Sequence, residues 1–269
     1  MKRTLWSIVP LLALAAAVLA GCASSATAPG VDPAVRQSLA PTGKLRVGVY
    51  PGSPTSMVRD TASGETKGVT VELGRELARR LGVSFEPVEF RRVAEVLEAL
   101  KAGQVDFTFT NASPARAKEV DFTPTLLDLE LGYLVLPGSP ISKLDDVDRP
   151  GMRVGVSQGS TSLATLTREF KHAALVPAAT LKSAGEMLSQ RKIDAFATNK
   201  AILFEMSDEL PNARVLDGRW GLEHLAIAIP KGRDAGMGYL RAFAEQARSE
   251  GLVTRAAERA GLRGAARNP

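Results

Sequence analysis

Cysteine, histidine and aromatic residues are scarce in this chain. Its 269 residues include one cysteine, Cys22, and two histidines, His172 and His224. A single cysteine excludes an intramolecular disulfide and any site built from several cysteine ligands. The histidines are far apart and show no metal-ligand spacing, and the sequence has no phosphate-binding glycine loop. We therefore expect no cofactor and no metal.

Long runs of one charge are missing as well. The net charge is +5, but lysine and arginine are scattered among acids and no basic run is longer than two residues. Nucleic-acid binding needs a basic patch or stripe, so it is not expected. With 45% hydrophobic and 23% charged residues, the composition is that of a soluble globular protein. The mild basic bias is compatible with an anionic ligand or with a negatively charged envelope surface.

The first residues predict export. A basic start is followed by an apolar run that is short for a membrane-spanning helix, which needs about 20 residues. The run ends in Leu-Ala-Gly before Cys22, which resembles the bacterial lipoprotein signal, where cleavage before the cysteine is followed by lipid attachment to its sulfur. We expect residues 1–21 to be this signal peptide. Residues 22–42 are rich in Ala, Ser, Thr, Gly and Pro and predict a flexible linker.

Two strings of the sequence repeat in the same order. Arg-Val-Gly-Val-x-x-Gly-Ser occurs at 46–53 and again at 153–160. A second string, in which an aspartate enters an apolar strand and Thr-Asn leaves it, occurs at 106–111 and 194–199. Two repeated pairs in one order predict two lobes of like construction.

Helical periodicity separates these strands. Apolar residues three and four apart predict one helix after each Gly-Ser loop and one before each second strand. The residues are Leu73, Leu77 and Leu81, ended by Gly82; Val93, Val96, Leu97 and Leu100; Leu163, Leu166 and Phe170; and Ala184, Met187 and Leu188. Strands alternating with helices predict an α/β fold in which each lobe is a mostly parallel sheet flanked by helices. Ligands bind such sheets at the carboxyl ends of the strands, so both Gly-Ser loops and both Thr-Asn exits should face one ligand.

Two further apolar strands, at 129–137 and 225–230, predict crossings between the lobes. They let the chain leave the first lobe, build the second and return. The expected bounds are 43–133 and 226–269 for lobe 1 and 134–225 for lobe 2. The tail, 235–262, shows two helical patterns separated by Gly251 and should cover lobe 1.

From Lys44 to about Leu262 the residues resemble a known family, the periplasmic solute-binding proteins of polar amino-acid type, family 3. The most specific match is Arg-x-Lys-x-Val-Asp-Phe-Thr at 116–123. Other matches are Leu-Arg-Val-Gly-Val at 45–49, Gly-Val-Thr-Val-Glu-Leu at 68–73, Leu-x-x-Leu-x-x-Gly-x-Val-Asp at 97–106 and Met-Arg-Val-Gly-Val-x-x-Gly-Ser-Thr at 152–161. The resemblance implies the type II periplasmic-binding-protein fold with two β crossovers. It also implies capture of a small carboxylate-bearing solute, an amino acid or close analogue, between two closing lobes.

The resemblance further implies a set of ligand contacts. In the family the arginine of the most specific string binds the ligand's α-carboxylate, which gives that role to Arg116, helped by Ser113 and Asn111. An arginine fork matches a carboxylate in two parallel hydrogen bonds. Ser160 and Thr161 of lobe 2 begin a helix, where free N–H groups favour an anion. Plain N-capping is the alternative role of these two residues, and the two roles are compatible.

The chain departs from the family pattern in several features, among them a spacing from Asp106 to Arg116 that is about two residues shorter than is common. Where relatives commonly have an aspartate that pairs with the ligand's α-ammonium, this chain has Asn199. An amide accepts a hydrogen bond but brings no charge, so selectivity for an amino group is open. The aromatic residues that sandwich the ligand in many relatives have no clear match in the first Gly-Ser loop. Tyr50 and Ser53 are the contacts expected there.

One alternative function stays open. A few relatives on this fold are exported enzymes, such as cyclohexadienyl dehydratases, which also bind a carboxylate. Glu223 or Glu130, near the crossings, would then be the candidate acids. We expect a binding protein rather than an enzyme, because lipid, linker and two closing lobes then all have a role.

The resemblance implies partners and a location. An inner-membrane ABC permease with its ATPase would recognise the closed form, and the protein is expected to be a monomer. It would lie in the periplasm or cell envelope, tethered to a membrane through lipid on Cys22. The next residue, Ala23, differs from the aspartate that resembles an inner-membrane retention signal, which favours the outer membrane.

Overall fold

The computed structural model describes residues 30–60 and 63–266, along which helices and strands alternate. The helices are α1 Pro33–Leu39, α2 Val69–Leu81, α3 Val93–Lys101, α4 Thr161–Glu169, α5 Leu181–Ser189, α6 Lys200–Glu209, α7 Asp234–Ser249 and α8 Leu252–Arg259. The strands are β1 Lys44–Val49, β2 Val58–Arg59, β3 Thr66–Lys67, β4 Ser84–Glu89, β5 Thr108–Asn111, β6 Val120–Phe122, β7 Leu127–Val135, β8 Arg153–Ser157, β9 Ala174–Ala178, β10 Ala195–Asn199, β11 Arg214–Val215 and β12 Gly221–Pro230. Among the described residues, no helix has the length and apolarity needed to cross a membrane. The expected signal peptide and Cys22 lie outside the described residues.

Lobe 1 is built around three parallel strands that end at one edge. β1 pairs with β4 in parallel over its whole length. On its other side, Val47 of β1 forms a parallel bridge with Phe107, the residue that precedes β5. β5 then pairs with the antiparallel β12. The helices α2 and α3 pack on β1, which explains why most of that strand is buried.

Lobe 2 repeats this plan. β9, β8 and β10 are parallel neighbours in that order, and β7 runs antiparallel to β10. β7 and β12 are the two crossings, and they pair with each other in antiparallel register. The predicted α/β architecture of two lobes with mostly parallel sheets and two β crossovers is confirmed. The expected lobe bounds at 133/134 and 225/226 fall inside β7 and β12, two strands that belong to both lobes.

The repeated strings form a repeated ion pair that joins the first parallel strand of each lobe to the third. In lobe 1, Arg46 donates from its backbone N and its Nε to Asp106 Oδ2 at 2.9 and 2.8 Å, and from Nη2 to Oδ1 at 2.7 Å. In lobe 2, Arg153 makes the same three bonds to Asp194 at 2.8, 3.1 and 2.8 Å. The internal repeat is therefore confirmed as a structural one.

Backbone features of the repeat follow the same pattern. A Cβ atom at Gly48 would lie 2.8 Å from a side-chain carbon of α3, and one at Gly155 would lie 2.4 Å from a side-chain carbon just before β10. Both positions therefore need glycine for close approach. Three residues before each aspartate, Gly103 and Arg191 both have positive φ, 66° and 54°. Lobe 2 therefore has the same turn before its aspartate as lobe 1, although arginine seldom adopts a positive φ.

The helical tail completes the core of lobe 1. Leu240 and Phe243 of α7 are buried in one cluster with Leu45 and Leu73. Gly251 separates α7 from α8 with a φ of 71°. The predicted break and the predicted cover of lobe 1 are both confirmed.

The predicted linker is wrong over its second half, where α1 forms. Asp32 caps this helix with its side chain and Pro33 begins it, which are the preferred residues at those positions. Val31, Val35 and Leu39 pack on the core of lobe 1, and Leu39 is 1% exposed. The four-residue spacing of these apolar side chains was a helical signal, concealed by the surrounding small residues.

The two ion pairs of the repeat should differ in their contribution to stability. Asp106 is fully buried between Arg46 and Arg233, whereas Asp194 has one arginine and is partly exposed. We expect Asp106→Asn to lower the free energy of unfolding by about 3–5 kcal/mol, because it leaves two arginines without their carboxylate. Asp194→Asn should lower it by about 1–2 kcal/mol, since water reaches that pair. Urea denaturation measures both values, and an equal loss would contradict this ranking.

Candidate functional site

A cavity lies between the lobes at the carboxyl ends of the strands, with a volume of about 40 Å³. Both Thr-Asn exits line it, together with Tyr50 after β1 and Ser157 at the end of β8. The other wall residues are Thr55, Arg91, Arg92, Val93, Phe109, Arg116, Ser160, Thr161, Ala179, Thr180, Leu181, Ile202, Glu223 and Leu225. The strand ends of both lobes thus surround one space.

Arg116 is held at the cavity by the loop that follows β5. It begins a 3₁₀ turn, Arg116–Lys118, and its Nη1 donates to Thr110 Oγ1 at 2.9 Å and to the Asn111 carbonyl at 3.3 Å. Within the described residues it forms no ion pair, and its Nε and Nη2 donate no hydrogen bond. Burial lowers the pKa of Arg116, while the charge of Glu223 acts in the opposite direction. The guanidinium therefore has two unused donors for an anion in the cavity.

Glu223 is the second charge of the cavity, and sequence reasoning missed it as a ligand contact. It lies on β12 and is 8% exposed. Its Oε1 accepts from Thr161 Oγ1 at 3.1 Å, and its Oε2 accepts from Asn199 Nδ2 at 2.9 Å. No lysine or arginine of the described chain pairs with it. A buried carboxylate without a cation is costly, so this one is suited to a cationic group of a ligand.

Asn111 and Thr161 join the two lobes beside this carboxylate. Asn111 Nδ2 donates to Thr161 Oγ1 at 3.1 Å, and Asn111 Oδ1 accepts from the backbone N of His224 at 2.9 Å. The single hydroxyl hydrogen of Thr161 then goes to Glu223. A continuous chain of hydrogen bonds thus runs from Asn111 through Thr161 and Glu223 to Asn199.

Three helices of lobe 2 begin at the cavity, and their N-cap residues line it: Ser160 for α4, Thr180 for α5 and Asn199 for α6. Ser160 Oγ and Asn199 Oδ1 each accept a backbone N–H of the first turn, at 3.1 and 3.2 Å. The capping role weighed for Ser160 is therefore present. Because Asn199 caps with its oxygen, its nitrogen is left to hold Glu223. Helix N-termini carry the positive end of the dipole, which makes this wall favourable to anions.

Two of the predicted contacts do not line the cavity. Ser53 is fully buried, with its Oγ 2.9 Å from Thr55 Oγ1, and Thr55 lines the cavity in its place. Ser113 Oγ accepts from the backbone N of Arg116 at 3.3 Å and so shapes the turn. Tyr50 does line the cavity, and burial raises the pKa of its phenol.

The second candidate acid and the histidine nearby lie outside the cavity. Glu130 accepts a hydrogen bond from Lys200 Nζ at 2.7 Å, and this contact lowers the pKa of its carboxyl. His224 is exposed, with its Nδ1 2.7 Å from Asp128 Oδ1. Of the two acids proposed for an enzyme, only Glu223 lines the cavity.

Sequence comparison places most of the chain in one family. The family of bacterial extracellular solute-binding proteins, family 3, matches residues 45–260. A glutamine-binding protein of Geobacillus stearothermophilus is 25% identical over 249 residues, which are 86% of this chain and 95% of the relative. The ABC transporter glutamine-binding protein of Bacillus subtilis (strain 168) is 24% identical over 212 residues, 77% of either chain.

Comparison with solved structures finds proteins of the same fold. The solute receptor for L-cysteine of Neisseria gonorrhoeae matches with a TM-score of 0.74 at 24% identity, covering 84% of this chain and 92% of the receptor. At this identity the likeness shows the fold alone. It is the two-lobed fold described above.

Asn199→Asp tests the contact between this side chain and Glu223. The variant sets two carboxylates where an amide now donates at 2.9 Å, so one pKa of the pair should rise above its unfolded value. A raised pKa gives stability at low pH that is lost as the pH increases through it. We therefore expect the Tm of the variant, relative to wild type, to fall between about pH 5 and 8. The exposed Asn212→Asp is the control, and parallel Tm curves for both variants would refute the contact.

Proposed function

The chain belongs to the bacterial extracellular solute-binding proteins, family 3, and on that premise we propose that it captures an α-amino acid, or a close analogue, for an ABC importer. The two glutamine-binding relatives support this ligand class. The observation that carries the proposal is the pair Arg116 and Glu223. These opposite charges line one cavity, and neither has an ionic partner among the described side chains.

An α-amino acid supplies both missing partners. Its carboxylate accepts two hydrogen bonds from the unused donors of Arg116, and its ammonium donates to Glu223. Asn199 lacks the negative charge that relatives commonly have at this position. Here it holds the glutamate that supplies the charge. Selectivity for an amino group, left open by the sequence, is therefore part of the proposal.

Capture depends on closure of the lobes. The Asn111–Thr161 hydrogen bond belongs to the closed arrangement, and a ligand between Arg116 and the helix starts of lobe 2 adds contacts that an open form lacks. A ligand that binds the closed state more tightly shifts the protein towards it. A permease that recognises this state then receives the ligand. A monomer tethered through lipid on Cys22 to the outer membrane would deliver it across the periplasm.

We propose a binding protein rather than an enzyme. Glu223 lies in the cavity and is the acid that the dehydratase-like alternative would use. Both its oxygens accept hydrogen bonds, which is the arrangement of a carboxylate that binds a cation rather than of a proton donor. Turnover of prephenate or arogenate by the purified protein would establish the enzyme instead.

Arg116→Ala should abolish most of the affinity for every amino acid ligand. Removing one partner of a buried charge pair costs about 2–5 kcal/mol, or roughly 30-fold or more in affinity. Lys118→Ala is the matched control, because it removes an exposed positive charge from the same 3₁₀ turn. Isothermal titration calorimetry gives both values. Affinity of Arg116→Ala within about threefold of wild type would refute the carboxylate site.

Glu223→Gln should change selectivity rather than only affinity. We expect the ratio of affinities for an L-amino acid and its 2-hydroxy analogue to fall about 10-fold or more, because the ammonium loses its counter-charge. Glu130→Gln removes a carboxylate on the neighbouring strand, outside the cavity, and should leave the ratio unchanged. An unchanged ratio in Glu223→Gln would assign the ammonium to another group.

A further inference from the structure

The glycine of each Gly-Ser loop, Gly52 in lobe 1 and Gly159 in lobe 2, lies against the opposite lobe. A Cβ atom at Gly159 would be 2.6 Å from the Cβ of Ala94, in the first turn of α3 in lobe 1. A Cβ atom at Gly52 would be 3.2 Å from the Cδ1 of Leu181, the first residue of α5 in lobe 2. The two glycines are equivalent in the internal repeat, and α3 and α5 are the equivalent helices that precede β5 and β10. Each loop therefore meets the start of the equivalent helix in the other lobe.

Two hydrogen bonds join the lobes in the same region. Arg92, which directly precedes α3, donates from Nη1 to the carbonyl of Ala179, two residues before α5, at 3.4 Å. Asn111 of lobe 1 donates to Thr161 of lobe 2 at 3.1 Å. Both loops and both helix starts are thus part of one contact region between the lobes.

The two glycine contacts differ in how far they can yield. The Cδ1 of Leu181 is the far end of a flexible side chain, which can move away from an added Cβ at Gly52. Ala94 offers only its Cβ, which is fixed to the backbone of α3. Carbon atoms pack at roughly 3.5–4.0 Å, so a Cβ at Gly159 would keep the lobes about 1 Å further apart at this point. The contact between Gly159 and Ala94 is therefore the one that limits closure.

We infer that Gly159 and Ala94 are positioning residues for ligand capture, because their contact sets how far the two lobes close. Gly159 is exposed and Ala94 is half-buried, so neither belongs to the core of its own lobe. A larger residue at either position holds the cleft open and weakens the bond from Asn111 to Thr161. Affinity then falls for every ligand that both lobes contact. This effect on affinity rests on the proposed function, whereas the contact between the lobes does not.

Backbone conformation gives these glycines a simpler role. Gly52 and Gly159 have φ values of 82° and 73°, where an alanine is strained whatever surrounds it. Such strain is local to the loop, so a change at Ala94 does not relieve it. If Ala94 loses its Cβ, the nearest atom to a Cβ at Gly159 is the Cα of residue 94, at 3.8 Å, which is an ordinary contact. Ala94→Gly should therefore rescue Gly159→Ala only if the lobes touch at this point.

A disulfide between the other pair of contact residues measures closure without any ligand. A Cβ at Gly52 would lie 3.7 Å from the Cβ of Leu181, within the roughly 3.5–4.5 Å that disulfides span. The substitutions Gly52→Cys and Leu181→Cys in the full chain give a parent protein that cross-links only when the lobes are closed. Its rate of disulfide formation in oxidised glutathione follows the closed population. Peptide mapping separates this disulfide from any that involves Cys22.

In this parent, we expect Gly159→Ala to slow cross-linking about 10-fold or more, because the added Cβ overlaps Ala94 in the closed state. Adding Ala94→Gly should restore the rate to within about threefold of the parent, and Ala94→Gly alone should change it by less than that. A parent that does not cross-link, or equal slowing by Gly159→Ala with and without Ala94→Gly, would overturn the inference. The second result would assign Gly159 to local backbone strain.

Calorimetry with the standard L-amino acids, beginning with L-glutamine, follows the effect on affinity in chains without the added cysteines. Gly159→Ala should weaken binding about 10-fold or more, and Ala94→Gly should again rescue it. Gly52→Ala is the matched control, since it has the same backbone strain but a neighbour that can move, and it should lose less. If wild type binds no amino acid, the proposed function fails, while the cross-linking rates still decide whether the contact limits closure.

A second variant keeps the test decisive if thermal unfolding shows that Gly159→Ala is not folded. Ala94→Val enlarges the other side of the contact with a stiff side chain and leaves the glycine loop unchanged. Ala102→Val is its control, at the exposed C-cap of the same helix. We expect Ala94→Val to slow cross-linking and Ala102→Val to leave it unchanged. Equal rates in the two variants would count against the inference.

Discussion

The arrangement of the cavity depends on the hydrogen bonds that Glu223 accepts from Thr161 and Asn199. The carboxylate lies on a crossing strand, and both donors lie at the start of lobe 2 helices. Thr161 is in turn bound by Asn111 of lobe 1. One buried anion thus connects a strand end of lobe 1, two helices of lobe 2 and the strand that passes between the lobes. Because opening the lobes breaks the bond from Asn111, the state of the cleft and the surroundings of this carboxylate are linked.

This connection explains why an amide occupies position 199. An aspartate there would lie beside Glu223 and repel it, whereas an amide donates to it. The same side chain begins α6 through its oxygen, so its two ends have separate partners. In the proposed site the negative charge has not been lost from the cleft. Glu223 carries this charge on the crossing strand β12, and two lobe 2 side chains orient its carboxylate oxygens.

The sequence could predict what is local or repeated. Helical spacing gave α2 to α5, the two repeated strings gave two like lobes, and the string at 116–123 indicated Arg116. It could not reveal Glu223 as a cavity residue, because that depends on the register between β12 and β7, to which distant residues contribute. Thr55 lines the cavity and Ser53 does not, because of the way the chain turns after β1, and the residue types alone do not predict that turn. α1 was missed for a different reason: its apolar spacing was present, but the small polar residues around it resembled a linker.

Charge, rather than shape, should dominate discrimination in such a site. Glu223 is buried and Arg116 is only partly exposed, so water screens both charges less than at the surface and an unmatched charge on a ligand is costly. The side-chain end differs, because the wall formed by Arg91 and Arg92 opens into a wide groove. Arg91 is exposed and already paired with Glu95, whereas the Nε of Arg92 is buried and unpaired. The groove itself is lined by Arg59, Arg91 and Lys182 and by five glutamates, so its mixed charges give no preference for an anionic side chain.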